Sequence, residues 1–575
     1  MRKLASYLKG YRKESILGPL FKLIEATFEL LVPLVIAALI DRGIGGESRG
    51  TIVGLSAVLV GLGLVGLACS LTAQYFAAKA SVGFVKKLKH ALFEHIQGFS
   101  YTTLDRLGTS TLITRLTSDM NQVQTGLNLT LRLLLRSPFV VFGAMIMAFT
   151  IDVKSALWFV VAIPLLSVVV FGVMLACIPL YRKVQEKLDR VLGITRENLT
   201  GVRVLRALGQ EEAQVREFGA RNDELTAMQK VVGRVSALMN PVTYVIINLA
   251  IVALIRQGAV RVDAGILTQG QVVALYNYMS QILVELIKLA NLIINITKSA
   301  ACAKRIQAVL ELPSGEPEKD GCRAGDEALA VEFDHAALRY EGAGAPSLID
   351  VSLRVHPGEV VGVIGGTGSG KTSLVNLIPR FYTATEGAVR VFGRDVRQTP
   401  VEELRAQIGV VPQKAVLFQG TIRDNLRWGN EQANDEALWR ALEIAQASEV
   451  VLGKPNGLDE VIEQGGKNLS GGQRQRLTIA RALVKQPKIL ILDDSSSALD
   501  FATDAALRKA LYHMEPKPTL FIVSQRTSSI QHADQIVVLD EGRAVGVGTH
   551  GQLLETCEVY KEIYASQFKR KEEEQ

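Results

Sequence analysis

The chain has 575 residues, too many for one ordinary domain, with a hydrophobic share of 48% and a net charge of +7. Its basic residues gather at Arg2, Lys3, Lys9, Arg12 and Lys13 and again at Lys86, Lys87 and Lys89, beside apolar runs. That placement argues against nucleic-acid binding and fits the cytoplasmic Lys/Arg excess of membrane proteins. Five cysteines, odd in number and without a CxxC pair, argue against a disulfide scaffold.

The opening "MRKLASYLKGYRKES" is basic and amphipathic but lacks the separate apolar core and cleavage site of a signal peptide, so it is expected to lie along the inner membrane surface. Six apolar segments follow that are long enough to cross a bilayer, near 16–40, 51–77, 130–150, 155–178, 241–261 and 270–297. Short connections ("DRGIGGESRG", "IDVK", "VDAGILTQG") alternate with the long, charged, helically patterned stretches 79–128 and 180–239. With the basic N-terminus inside, the long stretches are also inside, and spans two to five are expected to continue as helices into the cytoplasm. Helical periodicity breaks at Gly108 and at Gly201 and Gly209, marking turns at the far tips as docking points for another domain or as solvated hairpins. Residues 311–327, rich in Pro, Gly and charge without periodicity, read as a linker.

Beyond it the pattern changes to strand, glycine loop and helix. The β-branched run Val360 to Ile364 enters Gly365, Gly366, Thr367, Gly368, Ser369, Gly370, Lys371, Thr372 and Ser373, a P-loop in its strand-to-helix setting. Glycines let successive N–H groups face phosphates at a helix N-terminus, Lys371 reaches the β- and γ-phosphates of ATP, and Thr372 offers a hydroxyl to Mg²⁺. Downstream, "ILILDDSSSALD" (489–500) reads as a buried parallel strand that releases Asp493 at its carboxyl end, where such sheets bind ligands.

Between these motifs, "NLSGGQRQRLTIARAL" (468–483) resembles the signature of ATP-binding cassette (ABC) proteins. Tyr340 looks like the adenine-stacking aromatic, Gln413 in "VVPQ" like the glutamine that approaches γ-phosphate and metal, and Ser497, Ala498, Leu499 and Asp500 like the D-loop. The likeness extends over the six spans and both tips, so the chain resembles a half-transporter of the exporter type. It implies a six-helix membrane domain with long cytoplasmic extensions (1–310), a linker (311–328), an α/β P-loop nucleotide-binding domain with a helical subdomain (329–567) and a charged tail (568–575). It also implies ATP and Mg²⁺ as cofactors, with Thr372, Gln413 and Asp493 around the metal, and a head-to-tail dimer in which Leu469, Ser470, Gly471, Gly472 and Gln473 complete the partner's site. The expected location is the cell membrane of a bacterium, with the cassette cytoplasmic.

Two residues depart from the family pattern, at the γ-phosphate end of the same site. Asp494 stands where glutamate is usual and is shorter in reach by about 1.5 Å, one C–C bond. Gln525 stands where the switch histidine is usual and cannot exchange a proton near neutral pH. With an intact signature, this resembles the degenerate-site subunit of bacterial heterodimeric, often multidrug, exporters. The implied partner is a different chain carrying the catalytic glutamate and switch histidine. An active homodimer, a nucleotide-sensing regulatory subunit and an importer on the same scaffold are the alternatives.

Charged groups within spans are costly and usually face an interior or a cavity. Glu25 and Glu29 read equally as the lining of a cavity for a small amphipathic substrate or as helix-pairing groups. Glu285 and Lys288, at i,i+3, read as a pair, and Arg132 and Arg136 as snorkelling or paired groups near the inner end of the third span.

Overall fold

The computed structural model describes residue 4, residues 6–315 and residues 328–572, the last five of these as backbone only. Most of the expected linker, Arg2, Lys3, Cys322 and the end of the charged tail lie outside the described residues. The chain forms two compact units, Met1–Gln97 with Ser110–Pro313, and Gly98–Thr109 with Ser314–Gln575.

The first unit is all helical: α1 (Arg12–Ala38), α2 (Arg49–Gln97), α3 (Met120–Leu133), α4 (Arg136–Ile151), α5 (Val153–Thr200), α6 (Glu211–Ala237), α7 (Met239–Asp263) and α8 (Gln269–Leu310). They build six helical stretches apolar and long enough to cross a membrane. At 49 residues α2 is about 74 Å long, more than twice the ~30 Å hydrocarbon core, so much of it stands outside the bilayer. The sixth span also continues, to Leu310, so extension is not confined to spans two to five. Lys298, Lys304 and Arg305 suggest an end to the apolar run, but no Pro or Gly interrupts the helix there. On the opposite side short connections are stapled by side chains. Asp152 caps α5 through Ser155 N–H (2.8 Å) and receives Arg261 (2.5 Å), and Asp41 accepts from Gly270 N–H (2.8 Å). A Thr268–Gln271 capping box opens α8.

Ionic groups tie three spans together. The third span breaks between α3 and α4, and Arg136, at the start of α4 and only 7% exposed, donates to Glu285 (2.7 Å) on α8 and to Glu29 (2.5 Å) on α1. Ser137 Oγ (3.0 Å) and Lys288 Nζ (2.8 Å) also donate to the Glu285 carboxylate. Glu25 is held by Lys22 at 2.5 and 2.8 Å. Both first-span carboxylates are therefore ion-paired, and Arg136 pairs rather than snorkels. In low dielectric such charges persist only when mutually satisfied.

In the second unit, β1 (Val331–Leu338), β2 (Leu348–Val355), β4 (Glu386–Val391) and β5 (Arg394–Asp395) make an antiparallel sheet in the order β2-β1-β4-β5. The main sheet has the order β12-β11-β3-β10-β9-β6. Its strands are β3 (Val360–Gly365), β6 (Ile408–Val411), β9 (Ile489–Asp493), β10 (Thr519–Val523), β11 (Gln535–Asp540) and β12 (Arg543–Gly548). All but the edge strand β12 pair in parallel. Helix α9 (Lys371–Leu377) follows β3, and a ribbon of β7 (Gly420–Thr421) and β8 (Val461–Ile462) accompanies a helical layer containing α10 (Asp435–Ile444) and α11 (Gly471–Val484). The central strands are wholly buried, which is why they read as continuous apolar runs.

Residues 98–109 fold within this second unit. Helix Tyr101–Leu107, ended by Gly108 at φ 72°, lays Tyr101 against Phe381 (4.6 Å between ring centroids). Tyr382 donates its hydroxyl to Asp105 (2.6 Å), and Arg106 pairs with Glu341 at 3.2 Å. Tyr382→Phe removes one charge-assisted hydrogen bond. It is expected to lower stability by about 1.5 kcal/mol in thermal unfolding of the full chain, leaving ATP affinity within about twofold.

Candidate functional site

Four loops leave the carboxyl edge of adjacent parallel strands. The strand order places β10 between β3 and β9, with β6 beyond β9. Hence the P-loop after β3, the segment after β10, the two aspartates at the end of β9 and Gln413 after β6 meet along one edge, the ligand-binding edge of such sheets. Main-chain bonds fix the register, Asp494 N–H donating to Val523 O (3.1 Å) and Ser524 N–H to Val363 O (3.1 Å).

Gly368 (φ 84°) and Gly370 (φ 99°) curl the P-loop in backbone conformations that side chains resist. A Cβ on Gly370 would come within 2.6 Å of Ser347 O, whereas one at Gly366 or Gly368 would meet open space. Lys371 Nζ folds back onto the carbonyls of Gly365 (2.9 Å) and Gly366 (2.7 Å), and Thr372 Oγ1 donates to Asp493 Oδ1 at 3.0 Å. The Ser369 hydroxyl is buried without a hydrogen-bond partner among the described residues. Burial pushes the Asp493 carboxyl up, aided by the negative charge of Asp494, while burial draws the Lys371 ammonium down.

These features fit a nucleotide phosphate with a divalent cation. A cation relieves the desolvated aspartate, phosphate oxygens satisfy Lys371 and the loop amides, and Thr372 with Asp493 supplies hard oxygen ligands. Among the described residues no cluster of three His, Cys, Asp or Glu could hold a metal alone, and a cation held by Thr372 and Asp493 would take phosphate oxygens and water as well. Bound Mg²⁺ would supply charge neutralisation at the β- and γ-phosphates.

Asp494 is bound through Gln413 Nε2, which donates to its Oδ2 at 3.2 Å. Its φ of 45° lies in the left-handed region, where the short polar side chain of aspartate is among the best tolerated. Gln525 is exposed and is held by its main chain, its carbonyl accepting from Gln567 Nε2 at 2.7 Å. Tyr340 donates to or accepts from Ser373 Oγ (2.9 Å) and stands edge-on to Tyr382, 4.8 Å between ring centroids. The two tyrosines link the expected adenine site to Asp105. Sequence reading missed Tyr382, since a half-buried aromatic after a helix carries no local motif.

The signature lies at the N-terminus of α11. Ser470 is the N-cap and exchanges hydrogen bonds with Gln473 in a capping box, so two signature residues also start their helix. Leu469 is buried beneath it, Gly471 opens on free space, and a Cβ on Gly472 would sit 3.1 Å from Ala498 O. The signature thus touches the D-loop. There Ser497 Oγ donates to Asp494 O (2.8 Å), Leu499 is buried, and Asp500 caps α12 (Phe501–Tyr512) through Thr503 N–H (2.9 Å). Among the described residues no hydrogen bond joins Leu469–Gln473 to the P-loop of the same chain.

A P-loop ATPase with a signature helix, joined to six membrane-length helices, defines the class. Residues 15–286 match the ABC transporter transmembrane region and residues 348–497 the ABC transporter domain. An uncharacterised ABC transporter ATP-binding protein of Bacillus subtilis is 37% identical over 574 residues, 99% of each chain. Another, of Mycobacterium tuberculosis, is 37% identical over 569 residues, 98% of this chain and 97% of its own. The ATP-dependent lipid A-core flippase of Cupriavidus metallidurans is 30% identical over 571 residues, 99% of this chain and 96% of its own. A bacterial Atm1-family ABC exporter solved with ATP bound has the same fold, with a TM-score of 0.80 at 21% identity over 97% of this chain and 98% of its own. The chain belongs to the ABC transporter family, as a multi-pass half-transporter with one membrane region and one ATP-binding cassette.

Proposed function

We propose that the chain is the degenerate-site subunit of a heterodimeric, ATP-driven exporter in a bacterial cell membrane. Its own site, built from Tyr340, Gly365–Ser373, Gln413 and Asp493, holds ATP with Mg²⁺. Leu469–Gln473 and the D-loop complete the hydrolytic site of a different half-transporter that carries glutamate and histidine where this chain has Asp494 and Gln525. The pairing of an intact signature with both departures carries the reading, because both lie on the γ-phosphate edge and leave the phosphate cradle untouched. General-base assistance is worth about 10²–10⁴-fold and depends on reach, so binding persists while turnover at this site is slow. Closing of the two cassettes would turn the spans outward, and hydrolysis at the partner's site would reset them.

An amphipathic small molecule suits the role, in line with a relative named for moving a lipid, and export suits the shared exporter fold. The test compares ATPase rates of the purified chain alone and in its native complex. The chain alone is expected to turn over slowly, with Asp494→Asn changing its rate less than about threefold, whereas the complex is fast. Robust turnover by the chain alone, abolished by Asp494→Asn, would instead establish an active homodimer.

A further inference from the structure

The loop that carries Gln525 is gripped from the far end of the chain. On α13 (Glu558–Glu572), Gln567 makes three hydrogen bonds with its one side-chain amide. Nε2 donates to Gln525 O (2.7 Å), and Oε1 accepts from Thr527 N–H (2.9 Å) and Thr527 Oγ1 (2.9 Å). Both faces of the amide are thus spent on residues 525–527. Elsewhere the loop rests on α12, the helix that follows the D-loop. Arg508 donates to Ser528 O (2.8 Å), Ser529 Oγ donates to Asp504 (3.3 Å), and the Arg526 guanidinium lies over the Phe501 ring at 4.7 Å.

We propose that Gln567 is a positioning residue for the switch loop, setting the main chain at Gln525 relative to the γ-phosphate edge. The inference rests on the reading of Gln525 as the switch residue but not on which side chain stands there, since Gln567 holds the main-chain carbonyl. Without this grip, residue 525 keeps the anchors on either side of it, Ser524 N–H on Val363 O and residues 526–529 on α12, but loses its own, and its side chain gains the freedom of an exposed turn. Two elements then govern the loop: α12, which Asp500 of the D-loop caps, and α13.

The experiment uses the full chain in lipid nanodiscs and two substitutions. Gln567→Met keeps the size and removes all three bonds. Gln567→Glu still accepts from Thr527 but opposes Gln525 O with a carboxylate. Hydrogen exchange is followed at residues 524–531 and at the P-loop. ATP turnover is followed in an Asp494→Glu/Gln525→His background, where hydrolysis is measurable. For Gln567→Met we expect exchange at Thr527 and its neighbours to rise about tenfold, with P-loop exchange unchanged. The kcat should fall about tenfold or more, with KM for ATP within about twofold. Gln567→Glu should fall between wild type and Gln567→Met in exchange at Thr527. Unchanged exchange at 524–531, exchange rising equally across the cassette, or a kcat unaffected in a background that does hydrolyse ATP would each overturn the proposal. If the background hydrolyses no faster than wild type, the unequal-site reading fails instead, and exchange alone decides the role of Gln567.

Discussion

Asp494→Glu combined with Gln525→His is expected to raise the ATP turnover of the purified chain about a hundredfold, with its affinity for ATP little changed. The cradle needs no alteration: Lys371, Thr372 and Asp493 already converge, and two copies can lend each other Leu469–Gln473. Glutamate extends the carboxylate by about one C–C bond, past the position at which Gln413 now holds it at 3.2 Å. Histidine restores a group that titrates near neutral pH at the loop after β10. Either change alone should give much less than the pair, because groups acting on one phosphate behave as a unit. The left-handed backbone at residue 494 favours aspartate over glutamate, so a small loss of melting temperature should accompany the gain. Steady-state ATPase in nanodiscs checks the prediction. Turnover that stays low would show that these two side chains are not what limits hydrolysis.

Arg136→Met is expected to destabilise the membrane unit by about 3–5 kcal/mol, read as a large fall in thermal unfolding temperature of the full chain. The replaced group bridges α1, α4 and α8, and its loss leaves the buried Glu285, 3% exposed at its side chain, with Lys288 and Ser137 alone among the described residues. The penalty is the uncompensated charge rather than the net worth of the bridge. Combining Arg136→Met with Glu285→Gln should therefore recover most of the loss, as breaking one partner costs more than removing both. Failure of the second change to recover stability would mean that Arg136 acts by packing instead.

Elements with local causes were legible in the sequence. The apolar runs announced the spans because a bilayer requires some twenty helical residues whose backbone groups satisfy one another. The P-loop was legible because one contiguous stretch supplies glycines, lysine and hydroxyl to one phosphate. Gly108 and Gly209, at φ 72° and 61°, marked chain reversals for a similarly local reason. Asp494 and Gln525 could be singled out, but that they share one edge follows only from the strand order, which places β10 between β3 and β9.

Partner choice was not legible where the partners lie far apart in the chain. Glu29 and Glu285 were readable as costly charges, yet the residue joining them, Arg136, lies 107 positions from one and 149 from the other. Tyr382 finds Asp105 across 277 positions, with no motif to mark either. Gln567, on a helix that sequence reading left without a role, meets Gln525 across 42. Composition and periodicity report what a residue needs, a partner for a buried charge or water for an exposed amide. Which residue meets that need is decided by the packing of distant helices and strands, so the chemistry of this chain was written locally and its coupling was set by the tertiary structure.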